Sequence, residues 1–352
     1  MSRTTLLQAA LAALLCLCTG TAGADDSAKR KTYNNPVINK VIPDPTVIRA
    51  QDGFFYVYGT EDQYNVPIYR STNLVDWTFV GTAFTTETRP RCVSPIGKGM
   101  IWAPDINLIN GRYVLYYSIG VWGEAWECGI GVATSERPEG PFVDQGVVFM
   151  GRDVNVAGSI DQFYIEEDGK KYLFWGSYNG IFYIQLTDDG LRPMPGVQPH
   201  QVCSYQMEAT YIHKRNGYYY LIGSNGNCCQ IDGDYNQVSY KLIYGRSTSL
   251  FGPYVTKTGK SLLENANNYE NFLLPNDRCL GPGHNAEFVE DDNGDTWMLY
   301  HGYLRSSLEN QRVLWLDQVK WKDDWPYLES DCPSATSSTP YFKQAKKSND
   351  KQ

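Results

Sequence analysis

Asn216-Gly217-Tyr218-Tyr219-Tyr220 is a turn dipeptide opening into an aromatic strand, and four other stretches repeat it. They are Asp52-Gly53-Phe54-Phe55-Tyr56, Asn110-Gly111-Arg112-Tyr113, Asp168-Gly169-Lys170-Lys171-Tyr172 and Asn293-Gly294-Asp295-Thr296-Trp297. Asn-Gly or Asp-Gly ahead of alternating apolar residues is the strongest short-range hairpin signal. Each strand ends on small or polar residues: Gly59-Thr60, Tyr117-Ser118, Gly176-Ser177, Gly223-Ser224 and His301-Gly302. Shortly before each turn a strand begins on a polar residue, at Asp44, Asp105, Asp161, Glu208 and His284.

Repeats of about 40–50 residues mark solenoids, propellers or arrays. The turn glycines here stand 48 to 77 residues apart, so the units carry insertions. Aromatic and polar residues alternate along the strands, and no long helical period separates them. The expected fold is therefore all-β, a five-bladed β-propeller. Equivalent ends of the innermost strands then converge at one mouth of the channel. Taken singly, each polar start is an ordinary turn or capping residue. Taken at one phase, they predict that Asp44, Asp161 and Glu208 meet.

A second recurring segment supports the blades. Arg70-Ser71 leads to Asp76-Trp77, Thr134-Ser135 to Gly140-Pro141-Phe142-Val143, and Arg246-Ser247 to Gly252-Pro253-Tyr254-Val255. These read as third strand, turn and outer strand, where proline is tolerated because one edge is free.

No linker interrupts the beats, so one catalytic domain is expected over residues 25–332 of the 352. Arg3, the short apolar run Leu6 to Cys18 and the small residues Ala22-Gly23-Ala24 read as a signal peptide over 1–24, too short to span a bilayer. Secretion or export to a periplasm follows, with a lipid anchor at Cys16 or Cys18 as the lesser option. Residues 333–352, rich in Ser, Thr and Lys, read as a flexible tail. Outside the leader stand Cys92, Cys128, Cys203, Cys228, Cys229, Cys279 and Cys332. An odd set leaves at least one thiol free or paired between chains, and Cys228-Cys229 reads either as a vicinal bridge or as two small loop residues.

The net charge of -8 argues against nucleic acid or an anionic membrane as partner. A neutral substrate fits it better. The aromatic fraction of 14% suits sugar stacking, although most of those rings must pack strands. A channel mouth with three carboxylates suits glycoside hydrolysis, which needs a protonated acid and an ionised base or nucleophile on opposite faces of the bond. The third carboxylate can orient the acid and raise its pKa. The competing use of such a cluster is a cation. Oxygen donors suit calcium, and His284 by itself makes no zinc site.

At these residues the chain strongly resembles glycoside hydrolase family 43, five-bladed propeller enzymes of plant cell-wall breakdown. The matching segments are Asn35-Pro36-Val37, Asp44-Pro45-Thr46, Trp102-Ala103-Pro104-Asp105, Ser159-Ile160-Asp161, Glu208-Ala209-Thr210 and Gly281-Pro282-Gly283-His284-Asn285. The resemblance implies an inverting hydrolase with Asp44 as general base, Glu208 as general acid and Asp161 as the carboxylate that tunes and orients the acid. It also implies that His284 lines the channel beside a water-bound cation; a structural calcium is the candidate, and no cofactor is required for the chemistry. Ala209-Thr210 departs from the common Gly-Pro or Ala-Pro after the acid. Trp102, Asp105 and Tyr178 are candidate substrate contacts.

Cys228-Cys229, Tyr240-Lys241-Leu242 and Gly245-Arg246-Ser247 look like arabinan-degrading members, so α-1,5-arabinan is the expected substrate. A β-xylosidase or α-L-arabinofuranosidase of the same family is the alternative, and a noncatalytic glycan-binding propeller is the reading from another class. Invertase-like and sialidase propellers fit worse: Arg152-Asp153 and Glu127-Cys128 stand in the wrong order, and no arginine triad falls at the strand starts. The long insertion between Ser224 and Gly281 is expected to line the subsites.

Overall fold

The computed structural model describes residues 31–60, 65–92, 100–230 and 232–343. The expected leader and lipid-anchor cysteines lie outside them. After a short β1 (Thr32–Asn34), the chain lays down five antiparallel sheets, each in sequence order from the channel outward. Blade 1 holds β2 (Thr46–Arg49), β3 (Phe55–Tyr58), β4 (Pro67–Ser71) and β5 (Thr78–Thr82). Blade 2 holds β6 (Met100–Ile109), β7 (Arg112–Gly120), β8 (Gly129–Ser135) and β9 (Val143–Met150). Blade 3 holds β10 (Phe163–Glu167), β11 (Lys170–Trp175), β12 (Ile181–Gln185) and β13 (His200–Cys203). Blade 4 holds β14 (Glu208–Arg215), β15 (Tyr218–Asn225), β16 (Lys241–Ser247) and β17 (Glu270–Leu273). Blade 5 splits its inner strand into β18 (Cys279–Asn285) and β19 (Val289–Glu290), followed by β20 (Thr296–Leu304), β21 (Arg312–Lys322) and β22 (Trp325–Tyr327). This is the five-bladed propeller that the beats predict.

The beats are hairpins, though not all of one kind. Ile109 pairs Arg112, Glu167 pairs Lys170 and Arg215 pairs Tyr218, leaving two-residue turns. Both turn residues are left-handed in each, as a twist-matched turn needs: Asn110 and Gly111, Asp168 and Gly169, Asn216 and Gly217. The first and fifth turns are longer, because Arg49 pairs Phe55 and Glu290 pairs Thr296. One strand expectation needs correcting. Gly252-Pro253-Tyr254-Val255 is not the outer strand of blade 4; Val255 makes isolated bridges to Arg246 and Ser261, and the outer strand comes later, at β17. Tyr254 and Leu262 instead drop into the apolar core beside Cys203.

The chain ends seal the ring. β23 (Thr336–Ser338) pairs antiparallel with β1. Asn35, only 2% exposed, holds β21 with both sides of its amide: Nδ2 donates to the Leu316 carbonyl at 2.8 Å, and Oδ1 accepts the Leu316 N–H at 3.0 Å. The Ile42 N–H reaches the Arg312 carbonyl at 3.0 Å just before the chain enters blade 1. Residues 333–343 are therefore not the loose tail that composition suggests. The Tyr341 N–H donates to Asp291, and the Phe342 ring packs 4.6 Å from that of Phe55, joining blade 5 to blade 1. Pairing with β1 supplies order that a polar composition does not encode.

Candidate active site

The five inner strands enter the channel through one repeated distortion. Asp44, Ala103, Asp161, Ala209 and His284 are all left-handed, one per blade, with φ between 41° and 60°. Such backbone is uncommon outside glycine and needs support from its surroundings. The support comes from the second strand, at the position seven residues beyond each turn glycine: Thr60, Ser118, Gly176, Ser224 and His301. Four of these five side chains reach the next blade. The Ala103 N–H donates to Thr60 Oγ1 at 2.8 Å, Asp161 N–H to Ser118 Oγ at 2.9 Å, His284 N–H to Ser224 Oγ at 2.8 Å, and Asp44 N–H to His301 Nδ1 at 3.0 Å. Thus Asp44, Asp161 and His284 do share one phase. Glu208 stands one residue earlier, and Asp105 two residues later, than the sequence pattern implies.

Asp44, Asp161 and Glu208 line one cavity of about 430 Å³, together with Trp102, Tyr178 and His284. Asp105 does not join them. Two residues along a strand is about 7 Å deeper on the same face. There its Oδ2 accepts the Tyr164 N–H at 2.8 Å and the Asn107 side chain at 2.9 Å. Burial pushes this carboxyl up to about 7. It is a buttress between blades, not a wall of the cleft, and its expected substrate contact is withdrawn.

The two carboxylates assigned to chemistry sit in opposite environments. Burial would raise Asp44, but the Arg312 guanidinium, 3.1 Å from Oδ1, acting with His284 and His301, more than offsets it, and the carboxyl lies well below the usual range. Thr60 Oγ1 also donates to Asp44 Oδ2. His284 and His301 approach Asp44 at 3.3 and 3.2 Å, yet burial pushes His284 down to about 4 and lowers His301 as well. Near neutral pH the imidazoles are uncharged, so Arg312 is the group facing Asp44 that stays positive. Because His301 Nδ1 accepts the Asp44 N–H, that nitrogen has no proton to give the carboxylate.

Glu208 is pushed the other way. Burial raises it and the Asp44 charge adds to this, against donation from Ser177 Oγ at 2.6 Å and Tyr240 Oη at 2.7 Å. Asp161 is raised too, by burial first and then by the Glu208 and Asp44 charges. The Ala209 N–H faces the Asp161 carboxylate and favours its charged form. The backbone immediately after the acid is thereby tied to the third carboxylate. Two carboxyls driven apart in this manner mark a base and an acid.

The walls include Arg312 and Trp122, which the sequence did not single out, and Thr60, Ser177 and Tyr240, which it marked without placing them in the site. Trp102 lies flat against Gly120, where a Cβ would fall 2.1 Å from its ring. Its indole stands 5.0 Å from that of Trp122, which is 68% exposed. Tyr178 leans over the cavity and donates to the Gly226 carbonyl. Of the two readings open for Cys228-Cys229, the vicinal bridge is the one observed, and it lines the same cavity. Among the described residues, only the first part of the long insertion, at Cys228, Cys229 and Tyr240, reaches the cleft. The donor set for a cation is thin. His284 Nδ1 is engaged with Asp44, and among the described residues no three His, Cys, Asp or Glu side chains converge as ligands. These residues do not make a protein cage for calcium.

One carboxyl held toward its ionised form and another pushed toward its protonated form, facing one cavity, are the equipment of a glycoside hydrolase. Comparison with known proteins agrees. The family model of glycosyl hydrolases family 43 matches residues 33–326, and the chain belongs to that family. It is 30% identical to an extracellular exo-α-(1→5)-L-arabinofuranosidase of Cellvibrio japonicus, over 82% of this chain and 86% of that one. It is also 30% identical to an extracellular endo-α-(1→5)-L-arabinanase of Bacillus subtilis, over 82% of this chain and 88% of that one. Among solved structures, the α-L-arabinanase of Cellvibrio cellulosa complexed with arabinohexaose superposes with a TM-score of 0.72 at 28% identity, covering 83% of this chain and 96% of that one.

Proposed function

We propose that this chain is a secreted, inverting arabinanase that cleaves α-1,5-linked L-arabinofuranosyl chains. The observation that carries the reading is the opposed pair: Asp44 held ionised by Arg312, and Glu208 raised by burial, over one cavity. Asp44 takes a proton from the attacking water. Glu208 gives its proton to the leaving sugar's oxygen. Asp161, fastened to the Ala209 N–H, orients the acid and sustains its proton through like charge. Trp102 and Trp122 offer apolar faces to furanose rings, with Tyr178 and the uncharged Cys228–Cys229 bridge on the other wall.

Both curated relatives named above are described as extracellular, which supports export of this one. Among the described residues no helix is long and apolar enough to cross a membrane. Inversion rests on the family resemblance, and proton NMR of the first-formed anomer tests it. The substrate is tested by digesting linear α-1,5-arabinan and resolving products by length over time. A ladder of oligomers means internal cleavage; arabinose or one short oligomer from the outset means attack at an end. No product from arabinan, with turnover on xylan or branched side chains, overturns the substrate assignment.

A further inference from the structure

The ring of side chains that caps the left-handed residues has one gap, and the gap is beside Glu208. Seven residues past the turn glycine, blades 1, 2, 4 and 5 present Thr60, Ser118, Ser224 and His301, each accepting a backbone N–H from the next blade. Blade 3 presents Gly176, which has no side chain. A Cβ there would fall 2.0 Å from the Gly180 carbonyl oxygen, so no capping residue fits. The hydroxyl appears one residue later, on Ser177, and bonds something else: Ser177 Oγ donates to Glu208 Oε2 at 2.6 Å.

The displacement matches a displacement in the partner. In the other four blades the residue just before the left-handed one is Pro43, Trp102, Ile160 or Gly283, none of them a carboxylate. In blade 4 it is Glu208. The strands are stitched together at this point by the Ser177–Glu208 bridge and by the Tyr178 N–H on the Met207 carbonyl at 3.2 Å. The Ala209 N–H, left without a hydroxyl, faces Asp161 instead. Both carboxylates of the acid side thus occupy bonds that in the other blades join a cap to a backbone N–H, even where the cap's own proton goes elsewhere, as that of Thr60 does to Asp44.

We infer that Ser177 is a positioning residue for the general acid, diverted from backbone capping to hold the Glu208 carboxyl toward the leaving oxygen. This rests on the assignment of Glu208 above. With Tyr240 on Oε1 and Ser177 on Oε2, the carboxyl plane is fixed from both sides. Removing one hydroxyl frees it to rotate. It also removes a donor that favours the ionised form, so the acid should keep its proton to higher pH.

The test compares wild type, Ser177→Ala, Ser177→Thr and Glu208→Gln on arabino-oligosaccharide and on an aryl arabinofuranoside with a good leaving group. Ser177→Ala should lower kcat on the oligosaccharide about tenfold or more with KM little changed, a fraction of what general acid catalysis supplies. It should lose much less on the aryl substrate, which needs little protonation, and its alkaline limb should move to higher pH. Ser177→Thr keeps the hydroxyl and should recover most of the loss. Equal loss on both substrates with an unmoved alkaline limb, or wild-type kcat in Ser177→Ala, overturns the inference. If Glu208→Gln itself turns over oligosaccharide normally, the acid assignment fails, and that result is distinct from any Ser177 outcome.

Discussion

Arg312 Nη1 lies 3.1 Å from Asp44 Oδ1, and 268 residues of chain separate the two. Asp44 opens the first blade and Arg312 begins β21 of the last, so this pair exists only when the ring is closed. It also decides what Asp44 can do, since the two nearby imidazoles are neutral at working pH.

Replacing Arg312 with Met should therefore move the acid limb of the rate profile upward. The folded pKa of Asp44 is depressed, so its contribution to stability is present above the unfolded value and is lost as pH falls through the folded one. Without Arg312 the carboxyl titrates higher, and the base is lost at a pH where wild type still works. A drop in kcat/KM of about 100-fold at pH 5 is expected. Breaking a buried pair should also cost about 3–5 kcal/mol in denaturant unfolding. A pH–rate profile with an unshifted acid limb would refute the role given to Arg312.

Glu208→Gln should abolish turnover while keeping oligosaccharide affinity, and should raise stability at alkaline pH. The carboxyl's folded pKa is raised, so its stabilising contribution is complete below the unfolded value and falls as pH rises through the folded one. An amide carries no such penalty. Calorimetry at pH 8 should show a melting point about 2–4 °C above wild type, with the gain gone at pH 4. Equal melting points at both would show that Glu208 is not strained toward its neutral form.

Deleting residues 333–352 should destabilise the whole domain. The deletion removes β23 from β1, frees Asp291 of the Tyr341 N–H and uncovers Phe55. Loss of several backbone bonds, each worth about 0.5–1.5 kcal/mol net, predicts a clear fall in the urea midpoint. A truncated chain that unfolds at the wild-type midpoint would return this segment to the status of a tail.

Dialysis against EDTA should leave arabinan hydrolysis within about twofold of the untreated enzyme, because carboxylates and water hold calcium only where enough of them gather. Here the charge of the base is set by Arg312, and His284 spends Nδ1 on Asp44. Loss of turnover on chelation, restored by calcium, would assign the channel a cation that the protein donors alone do not cage.

The blades and the carboxylates were legible because both depend on local signals. Asn-Gly and Asp-Gly favour left-handed turns, and a polar residue before an apolar strand stands out. Asp105 was misplaced because a strand's period is two: counting polar starts does not reveal that Ala103 is the distorted residue and Asp105 the next one down the same face. Arg312 left no mark at all, and Tyr240 was marked only as part of a subfamily segment. Each becomes functional only through a partner in another blade, and single-chain spacing carries no information about that approach. The seven-residue step from turn glycine to Thr60, Ser118, Gly176, Ser224 and His301 was in the sequence throughout. Small and polar strand ends were visible, but the role of each hydroxyl depends on which backbone faces it.

The seam between first and last blade also sets a schedule. Synthesis delivers Asp44 early, Arg312 late and β23 after both. For most of its time on the ribosome the growing chain carries a buried-to-be carboxylate with no counter-charge and two blades with no neighbour. The Asp44 carboxylate thus gains its counter-charge only when the chain is nearly complete, and a hydrolase of this build reaches working form as one of the last events of its own assembly.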